Sequence, residues 1–377
     1  MTARYYNYTT LLPTDWWGRR SFLNAWWRFD RGDPRWTPPN YRSLVSLVQD
    51  QRAHSGGGFY AQPIYMEALP QRTGGQTGYY GSAITGAYFE EVVAAAIIQI
   101  DPRREDGAAY LSLLKCANDE ETLERLLGKV MEVAGEFGCE RVIGPTGPTP
   151  SWQAGALQNY FNLLPPLHTP YNPPYLADLL ATTMEPRAET ALFWLNTPGE
   201  SPNRSTPVAT ITPLDPARLA TDLLPLLAAS LASTEDLFPE PDAEEATTLL
   251  RWLQVYPVTG WQAEVDDEVV GFVLVQPDLS ALMRSAGGGR RLPWRWHPAV
   301  RRSPTAGRIL LGAVAETWQH QGIATQLWNA ALDHARKAGW RELTCGPVPL
   351  EGAAANFLRG IGAQPRQRYI LYEWAPW

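Results

Sequence analysis

The sequence predicts an α/β protein with two domains, each built on a mixed sheet. Its 377 residues exceed what one ordinary hydrophobic core accommodates. Strand-like and helix-like runs alternate along the chain, and the same order of elements occurs twice. A small, polar, proline-containing stretch at residues 199–207 separates the two runs. We therefore expect domains at residues 1–198 and 208–377.

The composition is that of a packed globular protein. Hydrophobic residues make up 45% and charged residues 19% of the chain, and the formal charge of -7 argues against a DNA-coating protein. No apolar run approaches the roughly 18 residues of a membrane span, and residues 1–12 lack the features of a secretion signal. Cys116, Cys139 and Cys345 are far apart and have no metal-ligand spacing, so we expect a reducing cytoplasm and no metal.

The first half begins with two predicted helices, at residues 21–29 and 41–51. The predicted strands are 91–100, 110–114, 141–143 and 188–196.

A helix with visible end signals lies between these strands. Asn118 is the expected N-cap, Glu121 follows three residues later, and Gly138 closes the helix. Its apolar residues recur at helical spacing: Leu123, Leu126, Leu127, Val130, Ala134 and Phe137.

The second half repeats this order. Its predicted elements are a strand at 208–212, a helix at 217–231, a strand pair at 261–265 and 268–275, a strand at 308–315, a helix at 322–338, a strand at 342–345, a helix at 352–359 and a strand at 368–374.

The segment 308–339 has the clearest chemical signal. An apolar strand runs through a short glycine-containing turn directly into an amphipathic helix. The first turn of a helix has unpaired N–H groups and the positive end of the helix dipole, so a pyrophosphate fits there. Gly322 and Ala324 are small enough for close approach of the backbone, and residues 319–329 contain no acidic side chain.

The six residues from Gln319 to Ala324 (QHQGIA) resemble the acyl-CoA signature of the GNAT superfamily, [Q/R]-x-x-G-x-[G/A]. They follow an apolar strand, open a helix and precede a strand, helix and strand, which is the usual order in GNAT proteins. Residues 33–39 and 165–175 of the first half are similar to a group of tandem GNAT-like bacterial proteins. The resemblance implies two tandem GNAT-like folds, the N-terminal one degenerate.

The resemblance also implies acetyl-CoA as acyl donor and a primary amine, of a small molecule or a peptide, as acceptor. The backbone of residues 313–315 would bind the pantetheine arm, and the turn would bind the pyrophosphate. The implied cofactor-binding residues are Ala313, Val314, Ala315, Gln319, His320, Gln321, Gly322, Ile323 and Ala324. The alternative is a regulatory or interaction module that binds CoA without turnover.

The first half departs from this pattern. Asp119, Glu120 and Glu121 stand at the start of its helix, where carboxylates stabilise the helix but repel a pyrophosphate. We therefore expect that this domain does not bind CoA in the usual slot. It would be structural or would supply a wall of the substrate pocket.

The sequence offers three candidates for the groups that transfer protons. Leu358 occupies the position where many GNAT enzymes have a proton-donating tyrosine. Tyr369 and Tyr372 on the last strand are candidate replacements; the more ordinary interpretation is that they pack and form hydrogen bonds at the sheet edge. Glu316, at the end of the central strand, is a candidate general base or an ordinary solvated carboxylate.

Residues 279–315 contain several arginines and tryptophans but no acidic residue. A solvated insertion, a contact to the CoA 3′-phosphate and a nucleic-acid surface are three interpretations. The acidic net charge makes nucleic acid the least expected of these partners.

Overall fold

A computed structural model describes residues 4–49, 60–71, 91–100, 106–148, 154–197, 208–214, 223, 225–226, 249 and 252–375. The strands are β1 (Arg4–Leu11), β2 (Tyr60–Gln71), β3 (Glu91–Ile100), β4 (Ala108–Cys116), β5 (Arg141–Thr146), β6 (Ala156–Leu157), β7 (Glu185–Asn196), β8 (Thr210–Pro213), β9 (Thr259–Val265), β10 (Glu268–Pro277), β11 (Ala306–Val314), β12 (Glu342–Pro349) and β13 (Gln364–Trp374). The helices are α1 (Trp16–Phe29), α2 (Tyr41–Gln49), α3 (Glu120–Gly135), α4 (Pro174–Thr183), α5 (Ser280–Ser285), α6 (Ile323–Lys337) and α7 (Ala353–Gly360).

The α/β class is confirmed, and the local sequence accounts for most elements. β3 has the predicted bounds, because its apolar run is buried almost throughout. Asp266 and Asp267, both with positive φ, form the turn of the predicted hairpin. The first helix begins at Trp16, earlier than predicted, because the Asp15 side chain accepts a hydrogen bond from the Gly18 N–H and caps it. The predicted helix at 217–231 and linker at 199–207 fall largely or wholly outside the described residues.

All strands belong to a single mixed sheet. Its order is β1-β2-β3-β4-β5-β13-β7-β12-β11-β10-β9-β8, and β6 pairs with β13 off this path. β4 pairs with β5 and β11 pairs with β12 in parallel, at matching places in the two halves. The neighbours of these pairs run antiparallel.

The halves exchange their last strands. β7 ends the first half, but it pairs with β12 of the second half over Glu342↔Asn196 to Pro349↔Thr190. β13 ends the chain, but it pairs with β5 of the first half. β7 and β13 also pair with each other over most of their length, so the exchange joins the halves into one sheet.

Helices cover both faces of this sheet. α3 and α4 pack on one face of the first half. α6 and α7 cover the corresponding face of the second half. α1 and α2 pack with residues of both halves, including Ile97 on β3 and Phe272 on β10. No helix in the described part of the chain is long and apolar enough to span a bilayer.

Candidate functional site

A cleft opens where β11 and β12 diverge. The two strands pair in parallel from Ala306↔Glu342 to Ile309↔Cys345. Beyond this point β11 follows β10 as far as Val314, while β12 follows β7 to Pro349. Each strand is held by its outer neighbour, so the backbone groups between them are left without a ladder partner.

The predicted anion-binding turn lies at the end of β11. Gly322, with φ 85°, is the N-cap of α6, and among the described residues no side chain caps the first-turn N–H groups. Gln319 Nε2 donates to the Val314 carbonyl at 3.3 Å, and Gln321 Nε2 donates to the Thr317 carbonyl at 3.0 Å. The glutamines thus brace the turn and leave the start of the helix open to an anion.

The structure places the nine predicted cofactor residues along this strand and turn. The backbone groups of these residues do not all face the cleft. The Ala315 N–H points away from it and donates to the Val270 carbonyl on β10 at 2.8 Å. Ala313 pairs with Phe272 on the same side. Since backbone groups alternate along a strand, Val314 directs its N–H towards the cleft, while its carbonyl accepts from Gln319 Nε2. Val314 is therefore the strand residue best placed to bind a pantetheine amide.

The equivalent helix start in the first half is closed. The N-cap is Asp119, not the predicted Asn118, and its Oδ2 accepts from the Thr122 N–H at 3.0 Å. The Tyr8 hydroxyl donates to the same carboxylate at 2.9 Å, which favours aspartate over asparagine at this position. Glu120 adds a second carboxylate to the first turn. These charges disfavour a phosphate at α3.

The strand before α3 is also occupied. Trp26 Nε1 donates to the Leu113 carbonyl on β4 at 2.6 Å. A side chain of α1 therefore takes a backbone acceptor on β4, the strand of the first half that corresponds to β11.

The catalytic candidates do not converge on one point. Glu316 is exposed on a short 3₁₀ turn after β11. Tyr369 is fully buried, and burial raises its hydroxyl pKa while nearby Arg308 opposes that rise. Tyr372 is buried in the core of the first half, on the opposite face of β13 from Tyr369. Leu358 is 3% exposed and packs in the core of the second half.

Arg308 is a residue whose role sequence reasoning missed. Arg308 belongs to the arginine-rich segment 279–315, but its side chain is 1% exposed and lies within the sheet. It donates through Nη2 to the Gly346 carbonyl, across the mouth of the cleft. One feature of the sequence indicates this role: Arg308 stands near the start of an otherwise apolar strand. Charged residues are rarely buried in such a strand unless they have a partner or a function.

The comparisons with known proteins agree with this fold. The structure resembles a tandem GNAT protein from the clavulanic acid biosynthesis pathway, solved without AcCoA, with a TM-score of 0.58, 12% identity and 98% coverage of both chains. It also resembles a probable N-acyltransferase from Enterococcus faecalis V583, with a TM-score of 0.56, 7% identity and coverage of 98% of this chain and 73% of that one. The fold is therefore that of a tandem GNAT protein.

The family match lies in the second half. Residues 227–363 match the model of the acetyltransferase (GNAT) family. No curated protein matches the chain in sequence. The second half of the chain therefore matches an acetyltransferase (GNAT) domain, and the chain as a whole has the tandem GNAT fold.

Proposed function

We propose that this protein transfers an acetyl or other short acyl group from CoA to a primary amine, using only its second half. The observation that carries the proposal is the open N-terminus of α6 beside the cleft between β11 and β12. The matching helix start in the first half is occupied by Asp119, which supports a single CoA site per chain.

The residues present fit an acyl-CoA. The N–H groups of Ile323 and Ala324 lie in the first turn of α6, where they are free to bind a pyrophosphate. The backbone of Val314 would bind the pantetheine arm. When bound, acyl-CoA supplies a thioester whose acyl carbon accepts the amine. The chain contributes mainly by positioning the reactants, with backbone N–H groups polarising the carbonyl.

Proton transfer in this protein has to use groups other than the tyrosine that is frequent in the family. Leu358 replaces the family's frequent tyrosine and cannot donate a proton. The attacking amine must be neutral, so a carboxylate or water has to accept its proton. We propose Glu316 for this role, because it is exposed at the turn that follows β11.

A second candidate is a module that binds acetyl-CoA without turnover. The apolar Leu358 is the observation that favours it. Both functions require CoA binding, but only the enzyme releases free thiol when an amine is added. A thiol-release assay across a panel of amines separates them.

Ala324→Glu tests the CoA site. A carboxylate in the first turn of α6 should repel the pyrophosphate but interact favourably with the helix dipole, so the fold should persist. We expect wild-type protein to bind about one acetyl-CoA per chain by calorimetry, and the variant to bind roughly tenfold more weakly or worse. Gly322→Glu is a poorer test, because φ 85° strains any side chain there.

Ala330→Glu is the matched control, because it places the same charge in the same helix but away from its N-terminus. It should retain wild-type affinity. Equal loss in both variants would show that charge on α6 acts generally, and equal retention would remove the pyrophosphate from this turn.

A further inference from the structure

Buried polar side chains share one face of the sheet where the two halves meet. Paired residues on adjacent strands point to the same face. Arg308 on β11 pairs with Gln276 on β10 and with Thr344 on β12. Thr344 pairs with Trp194 on β7, and Tyr369 of β13 packs beside Trp194 on that face. The polar side chains thus form a row that crosses the exchanged strands.

Several polar atoms in this row have no partner within the described part of the chain. They include Nε and Nη1 of Arg308, the hydroxyl of Tyr369 and the hydroxyl of Thr344. These three side chains are buried, at 1%, 0% and 3% exposure. Most buried polar groups in proteins are hydrogen-bonded. Unpartnered donors on one face of neighbouring strands, with Arg308 and Tyr369 near enough to influence each other electrostatically, point to a polar ligand.

The charge of the row is positive. Among the described residues, no Asp or Glu forms an ion pair with Arg308. Asp278 is close enough to influence its pKa, but the carboxylate accepts hydrogen bonds from Leu167 and Ser280. Burial lowers the pKa of Arg308 to about 10, which leaves it charged at neutral pH. A buried cation that no carboxylate of the described residues contacts directly favours a bound anion.

The row lies on the face of the sheet opposite to α6, so it is suited to bind the acceptor and not CoA. Ile309 packs with α6, whereas Arg308, the preceding residue, points to the opposite face. The Arg308 guanidinium reaches the Gly346 carbonyl, one residue beyond the last paired rung of β11 and β12. Donor and acceptor would therefore approach the cleft from opposite faces of the sheet.

We propose that the acceptor is an amine that also bears a carboxylate, and that Arg308 and Tyr369 bind this carboxylate. The free donor nitrogens of Arg308 and the hydroxyl of Tyr369 match the two oxygens of one carboxylate. The amine nitrogen forms an amide bond as the thioester C–S bond breaks. The proton lost by the nitrogen balances the one gained by the departing thiolate.

This inference rests on the proposed acyl transfer, and matched acceptors test it separately. Thiol release is measured with amino acids and with their carboxamides, which retain the amine but lose the carboxylate charge. We expect kcat/KM to be at least roughly tenfold higher for amino acids, as for a hydrogen bond to a charged group. Arg308→Met should remove this preference while sparing the carboxamides.

Tyr369→Phe is the second variant, because it deletes only the unpartnered hydroxyl and preserves the ring. It should raise KM for the preferred amino acid by roughly three- to tenfold with little change in Tm. Arg308→Met should also leave the Tm equal or higher, since it removes a buried charge that lacks a counter-ion.

The outcomes separate the two proposals. If acetyl-CoA binds but no amine releases thiol, the enzyme proposal fails. If carboxamides are used as well as amino acids, or only amines without a carboxylate react, the carboxylate site is overturned while acyl transfer stands. A large fall in Tm for Arg308→Met would make Arg308 a structural residue and would likewise overturn the site.

Discussion

His168 is buried in a way that ties its charge state to the stability of the fold. Its Nδ1 accepts a hydrogen bond from Trp252 Nε1 at 3.2 Å, its ring packs against Tyr256, and its Nε2 has no solvent contact. Burial, reinforced by the positive charge of Arg308, lowers its pKa to about 3 from 6.5. The imidazole is therefore neutral in the folded protein and takes up a proton more readily when the chain unfolds.

This difference predicts a pH dependence. Below pH 6.5 the unfolded state binds more protons at His168 than the folded state, so stability falls as pH drops towards 3. Between pH 7 and pH 5 the free energy of unfolding should lose about 1 to 2 kcal/mol through this residue alone. Urea unfolding of wild type and His168→Gln across this range measures it, and the two stability curves should converge as pH falls. Parallel curves would contradict the assignment.

Sequence reasoning at the scale of single residues was right about types and less exact about positions. Asn118 and Asp119 are both good N-caps, and nothing local distinguishes them. Tyr8, 111 residues away, settles the choice by bonding to Asp119. Arg308 shows the same limit, because its burial depends on strands distant in the sequence.

At the scale of elements, the starts of α3 and α6 differ in how their first-turn N–H groups are used. Asp119 fills the first with a fixed carboxylate, whereas Gly322 leaves the second without a side-chain cap. A capping side chain and a bound phosphate use the same N–H groups, so each helix start serves one purpose.

Asp119→Ala should therefore affect stability but not cofactor number. Loss of the cap and of the Tyr8 bond should lower the free energy of unfolding by about 1 to 2 kcal/mol. Acetyl-CoA should still bind at about one per chain, because Glu120 and Glu121 remain at α3 and Trp26 still occupies β4. Glu121→Ala, which removes an exposed first-turn charge, is the control and should change stability little. A second bound CoA in Asp119→Ala would show that the cap alone closes the first half.

Hydrophobic periodicity predicted most elements, because the residues within each element are enough to specify whether it is a helix or a strand. β3, the hairpin of β9 and β10, and α6 follow directly from buried runs, turn residues and an apolar stripe. Partnership between strands is a different matter. β7 was expected to close the first half, and no local feature of β7 or β13 indicates that they change places.

For the whole molecule, the exchange predicts one unfolding transition for both halves. β13 is part of the sheet of the first half, and β7 is part of the sheet of the second, so neither half should melt alone. Leu127→Ala in the first core and Leu332→Ala in the second each remove a buried side chain. Each should cost about 2 to 5 kcal/mol and shift a single calorimetric peak.

Far-ultraviolet and tryptophan signals should shift together in both variants. Two separated peaks, of which each variant moved only its own, would show that the halves unfold independently despite the exchange.

The exchanged strands also determine what a deletion of either half would remove. A deletion that kept only the second half would lose β7, the strand that lies against β12. This strand carries Trp194 and Thr190 on the same face of the sheet as Arg308 and Tyr369. A deletion that kept only the first would lose β13 beside β5. Each half is therefore built partly from the sequence of the other, so neither can be removed without taking a strand from its partner.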